Sequence, residues 1–157
     1  MRRALSGVLG LLVVLSLSAC GNEKTSTSTT IRLVVTPKSN KVLVDRAPKG
    51  VVSKGDVLWS RAILRNAVPQ FGRAKGATVG SRVATDRVVG SDAGVVKVIV
   101  TLPGGTIHAG GRVTATPSEI IHVTGGTGTY AGARGTGSTR SLYPRNGSLN
   151  VYRLHLP

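Results

Sequence analysis

Few side chains of this 157-residue chain could do chemistry. Asp56 is the first. It shares the two-residue parity of Leu58, Ala62 and Leu64, so a strand through 56–65 would carry its carboxylate on an apolar face. Such a carboxylate has a raised pKa and can act as a general acid. The alternative is that Asp56 only ends a turn after Gly55. The histidines are His108, His122 and His155; separations of 14 and 33 residues fit no ligand template, so no metal is expected. Gly126-Thr127-Gly128-Thr129-Tyr130-Ala131 has the outline G-x-G-x-x-A, but no strand–helix unit surrounds it, so no nucleotide cofactor is expected. There is no G-x-S-x-G elbow. The only cysteine is Cys20, which excludes an internal disulfide framework and a thiolate zinc site.

The position of Cys20 gives it a different chemistry. Arg2 and Arg3 precede an apolar stretch, Leu9 to Leu17, that is too short for a transmembrane helix of about 20 residues. Leu17-Ser18-Ala19-Cys20-Gly21 then resembles a bacterial lipobox, which implies that residues 1–19 are a signal peptide and that Cys20 is acylated on sulfur and becomes the mature N-terminus. The expected location is the extracytoplasmic face of the cell membrane, with the membrane as partner through the acyl chains. Residues 20–30 follow as a hydroxyl-rich tether, leaving 31–157 as one domain.

The elements that must position any site are strands. Residues 50–157 hold 18 of the 21 glycines, more than double the usual ~7%, a density that disfavours helices. Short β-branched runs lie between turn signals such as Pro103-Gly104-Gly105 and Asn146-Gly147. The pattern predicts strands over 31–36, 55–65, 71–85, 95–102, 105–115, 119–124, 133–142 and 148–156. Val96, Val98, Val100 and Leu102 alternate strictly and predict an inward face; with Leu58 and Ala62 they are candidate ligand-binding positions. Eight such strands fit an all-β, antiparallel barrel, packed or holding one small ligand.

Charge is lopsided: 21 Lys and Arg against 6 Asp and Glu, formally +15, or +13 once Arg2 and Arg3 leave with residues 1–19. Nucleic acid is the obvious partner for such a count. Aromatics at 3% argue against base stacking, and an extracytoplasmic address removes that partner. An anionic lipid or envelope polymer is the nearer expectation.

Four segments carry a resemblance. Gly125-Gly126-Thr127-Gly128-Thr129-Tyr130-Ala131-Gly132-Ala133-Arg134-Gly135, Phe71-Gly72-Arg73-Ala74-Lys75-Gly76, Leu102-Pro103-Gly104-Gly105-Thr106-Ile107 and Gly55-Asp56-Val57-Leu58 are similar, in order and spacing, to segments of the allene oxide cyclase-like and dirigent-like barrels. The resemblance covers about residues 50–157. It implies an eight-stranded antiparallel barrel with an apolar pocket, often trimeric, that forces a reactive ligand into one conformation. It further implies Asp56, Arg73 and Arg134 as candidate catalytic residues, the arginines stabilising an oxyanion near a barrel mouth, and Tyr130 as a pocket residue. No second pocket acid can be placed. The leading expectation is a barrel that binds an apolar or amphipathic small molecule; the alternatives are an isomerase or cyclase of this type and a non-catalytic, envelope-binding protein.

Overall fold

In the computed structural model, which describes residues 26–114, 116, 118–142 and 147–157, eight strands close into a barrel. They are β1 (Thr27–Val44), β2 (Val57–Asn66), β3 (Thr78–Val88), β4 (Ala93–Leu102), β5 (Gly105–Thr114), β6 (Ser118–Gly126), β7 (Arg134–Ser141) and β8 (Ser148–Leu156). Each pairs antiparallel with its sequence neighbour, and β1 pairs with β8 to complete the circle. A short 3₁₀ turn, Gly128–Tyr130, lies between β6 and β7. All eight strands fall within residues 27–156, so the barrel closes without the residues before it. Cys20 and residues 1–19 lie outside the described residues.

Alternation places the core. On β4, Gly94, Val96, Val98, Val100 and Leu102 are buried and the intervening residues exposed, as the sequence pattern predicts. Val98 faces Ala84 on β3 and Ala109 on β5; Val100 faces Arg82 and Ile107. β1 differs from its expected span. It begins at Thr27 rather than Ile31, because Thr27–Thr30 pair with Arg153–Leu156. Threonine-rich segments read as tether can therefore serve as strand, since Thr has high β propensity. β3 begins at Thr78, not 71; residues 67–77 form a loop whose carbonyls at Gln70, Arg73 and Ala74 accept hydrogen bonds from the buried Asn66 amide at 2.8, 3.0 and 3.3 Å.

The two ends of the barrel differ. One end, formed by the start of β1, the β2–β3 and β4–β5 turns and the 3₁₀ segment, is closed by Leu33, Leu64, Leu102, Ile107, Tyr130 and Leu154, all buried. The other, where β1 gives way to the 45–56 loop and β3 turns into β4, is open. The glycine-rich segment belongs to the closed end. Gly128, at φ +59°, lies so close to the Gly104 carbonyl that a side chain there would overlap it. Tyr130 fills the same plug and donates from its hydroxyl to the Pro103 carbonyl at 3.2 Å.

Candidate functional site

The open end leads into the barrel interior. A cavity of about 590 Å³ is lined by Val35, Asn40, Ala62, Arg82, Glu119 and Thr139, among others. A contiguous one of about 510 Å³ is lined by Leu58, Ala84, Asp86, Val96 and Val113, and shares Asn40, Ser60, Arg82 and Glu119 with the first. Both volumes suit a small organic ligand. The side chains that define this space alternate along their strands. Arg82, Ala84, Asp86 and Val88 succeed one another on the inward face of β3, opposite Val100, Val98, Val96 and Gly94. Glu119 enters from β6, paired with Thr139 on β7.

Among the described residues, three buried polar atoms have no hydrogen-bond partner: Arg82 Nε and Asp86 Oδ1, whose side chains line the cavity, and the Tyr152 hydroxyl in the core. Burial pushes the Asp86 carboxyl above the ordinary aspartate range. The Glu119 carboxyl is also raised, chiefly by burial and further by the neighbouring Asp86 charge, while Arg82 partly opposes the rise. Tyr152 is almost fully buried and its phenol is raised by desolvation; Asn150 lies near it without reaching hydrogen-bond geometry. Two carboxyls held toward their neutral form beside a guanidinium can donate a proton to a ligand oxygen, or accept a hydrogen bond from one, while the guanidinium stabilises negative charge.

The candidate residues read from sequence are distributed otherwise. Asp56 is buried but does not face the cavity. It precedes β2, and its carboxylate accepts from the Arg46 backbone N–H at 2.6 Å, the Ser53 N–H at 2.8 Å and the Ser53 hydroxyl at 3.3 Å. These bonds, that from Arg46 foremost, hold its pKa below the ordinary value, opposite to the expected rise. Its role is to staple the 45–56 loop. Arg73 is exposed in the β2–β3 loop, donating to the Thr78 carbonyl at 3.1 Å. Arg134 is exposed at the start of β7 and donates to the Thr124 and Ala133 carbonyls at 2.6 and 2.9 Å. Both arginines lie at the closed end, not at a mouth. The structure therefore does not bring Asp56, Arg73 and Arg134 into one cavity. Of the ligand-binding candidates, Leu58, Ala62 and Val96 line it; Val98 and Val100 are buried in the core beneath it, and Tyr130 packs in the plug. His108 and His155 sit on the outer wall within reach of the Thr106 and Ser28 hydroxyls.

Arg82, Asp86, Glu119 and Tyr152 were not among the sequence candidates. The signal that could have found Arg82 and Asp86 is their shared parity with Ala84 and Val88 on β3. Predicting the strand over 71–85 cut it off before Asp86.

No protein-family profile matches the chain, and no curated protein sequence does. Solved structures do. A pyocyanin demethylase is 20% identical, with TM-score 0.64 over 80% of this chain and 99% of that one. The pterocarpan synthase dirigent protein GePTS1 is 13% identical, with TM-score 0.64 over 83% and 84% of the two chains. The Diels-Alderase AbmU from Streptomyces koyangensis is 18% identical, with TM-score 0.59 over 86% and 71%. Strand count, antiparallel order and closure agree with these likenesses: the chain has the allene oxide cyclase-like, dirigent-like barrel fold.

Proposed function

We propose that this barrel binds an apolar or amphipathic small molecule, admitted through its open end and held against Leu58, Ala84, Val96 and Val113. The observation that carries this reading is the pair of unpartnered polar atoms, Arg82 Nε and Asp86 Oδ1, on side chains that line the chamber. Each such atom costs about 1–3 kcal/mol of lost hydration. A ligand with a carbonyl or hydroxyl group would offset that cost at Arg82 and Asp86 while its apolar body packs on the apolar wall. The fold's company supports it: the similar structures are named for small-molecule chemistry. The test is titration of residues 26–157 with N-phenyl-1-naphthylamine, a neutral apolar dye. Saturable fluorescence enhancement, weakened at least about fivefold by Ala84→Trp, which fills the chamber, is expected. No enhancement would overturn the reading.

A second reading, stereoselective cyclisation, is favoured by one observation, the Asp86 and Glu119 carboxyls lining the same cavity as the Arg82 guanidinium. A neutral acid would protonate a ligand oxygen as Arg82 stabilises the charge on its neighbour, and the walls would fix the ligand's conformation. Ligand recovered from wild-type protein with unchanged chromatographic retention and unchanged stereoisomer ratio would sink this reading and leave binding intact.

The anchoring reading of Cys20 belongs here too. Incorporation of labelled palmitate by the full chain, abolished by Cys20→Ala, is its expected signature.

A further inference from the structure

The acids of the molecule, though not its cations, are sorted between its two ends. Every acid among the described residues lies at the open half: Asp45 and Asp56 in the β1–β2 loop, Asp86 near the end of β3, Asp92 in the β3–β4 turn and Glu119 at the start of β6. The closed half carries Arg32, Arg65, Arg73, Lys75, Arg134 and Arg153, all exposed, and no described acid. These cations are contiguous. Arg32 and Arg65 sit on paired strands near the register Leu33–Asn66; Arg153 pairs with Thr30 on β1 and with Thr136 on β7; Arg134 pairs with His155 on β8. They form a belt on the outer wall of β7, β8, β1 and β2 that continues into the β2–β3 loop with Arg73 and Lys75. The rest of that end, toward β3, β4 and β5, shows Thr78, Thr101, Thr106 and Thr127 instead.

The first strand starts from this same end. Six residues separate Cys20 from Thr27, a reach of at most about 20–25 Å. An anchor at Cys20 therefore keeps the closed end next to the membrane.

We propose that the closed end is a docking face for an anionic phospholipid bilayer, with the cationic belt against the headgroups and the cavity opening turned away from them. The orientation rests on the Cys20 anchoring reading; the docking face itself rests on the belt. Charge complementarity selects the partner: cations close to an anionic leaflet are each attracted, and no described Asp or Glu side chain on this face opposes them. The open half carries at least as many exposed cations, Lys41, Arg46, Lys49, Lys54, Arg87 and Arg140 among them, but they share it with every described acid. Ligand then enters from the aqueous side rather than from the bilayer that holds the protein.

The test uses residues 26–157, which contain the whole barrel and no cysteine. Co-sedimentation with vesicles of phosphatidylcholine and phosphatidylglycerol is measured at about 0.15 M salt. The triple variant R65Q/K75Q/R153Q is expected to lose about tenfold or more in affinity, and K49Q/K54Q/R87Q less than about twofold. A fluorophore on Ala74→Cys, at the closed end, is expected to be quenched by headgroup nitroxides, and one on Val51→Cys, at the open end, to be spared. That measurement needs neither triple variant to fold. Equal losses in the two triples, stronger quenching at 51 than at 74, or binding to soluble polyphosphate with none to vesicles would overturn the proposal. Titration with the neutral dye, run on the same samples, reports separately on the cavity. Palmitate labelling of the full chain reports separately on the anchor.

Discussion

A methyl group on Gly94 would collide with the carboxylate of Asp86, which lies across the neighbouring strand against the bare backbone. The acid is seated where it is because β4 offers no side chain at that point. Gly94→Ala is expected to turn the carboxylate out of its seat, weakening dye or ligand binding by about fivefold and costing about 1–3 kcal/mol of stability. Calorimetric unfolding together with a binding titration measures both. Unchanged affinity in a folded variant would show that the seating of Asp86 does not shape the chamber.

Buried Asp56 and half-buried Asp86 should respond to pH in opposite senses. The folded-state pKa of Asp86 is raised, so the stability it contributes is present at low pH and lost as pH rises through that value. Asp86→Asn should therefore raise Tm at pH 7, with an advantage that shrinks toward pH 3. The folded-state pKa of Asp56 is lowered, so its contribution is present above the ordinary aspartate pKa and lost as pH falls through the folded one. Asp56→Asn should lower Tm at pH 7, with a deficit that closes in acid. Melting curves from about pH 2.5 to about 7.5, either side of the ordinary aspartate pKa, decide the matter; parallel curves for both variants would contradict the assigned environments.

Tyr152 has a buried hydroxyl with no partner. Tyr152→Phe removes that group without leaving a cavity and is expected to stabilise the unliganded barrel by up to about 1 kcal/mol. Where a bound ligand uses the hydroxyl, the same change weakens binding. Chemical denaturation with and without ligand separates the two effects.

The legibility of this chain follows from which rules are local. Turn glycines and the alternation of Val96, Val98, Val100 and Leu102 are local, and they give eight strands and their order. The site depends on where strands begin and on register. Asp56 shares the parity of Leu58, but β2 starts at Val57, and parity carries no meaning outside the strand. Asp86 faces inward only because β3 runs on to Val88, past the last predicted position. Register shifts beside Pro37 and Gly80 change which residues look inward; a proline or a glycine within a strand marks a bulge without fixing the register beyond it. Arg73 and Arg134 belong to motifs that match well, yet what those motifs build here is the plug.

Gly137 illustrates the same point at the wall. A side chain there would press on the Tyr152 ring and on Ile121. Gly137→Ala is expected to cost about 1–3 kcal/mol, and to shift near-ultraviolet circular dichroism from Tyr152. An unchanged spectrum with full stability would show that the ring has another place to go.

Arg134→Gln should lower Tm slightly, since it removes the bonds to Thr124 and Ala133, and leave dye affinity within about twofold. Loss of affinity at constant stability would restore this arginine to the binding site.

Closure at one end and opening at the other divide labour along every strand. The lower half of each strand holds the apolar packing that keeps the molecule folded, and the upper half faces the chamber. Substitutions that retune the chamber therefore fall on residues whose loss the plug can tolerate. The residues around the chamber are thus free to change while the half that folds the barrel stays the same.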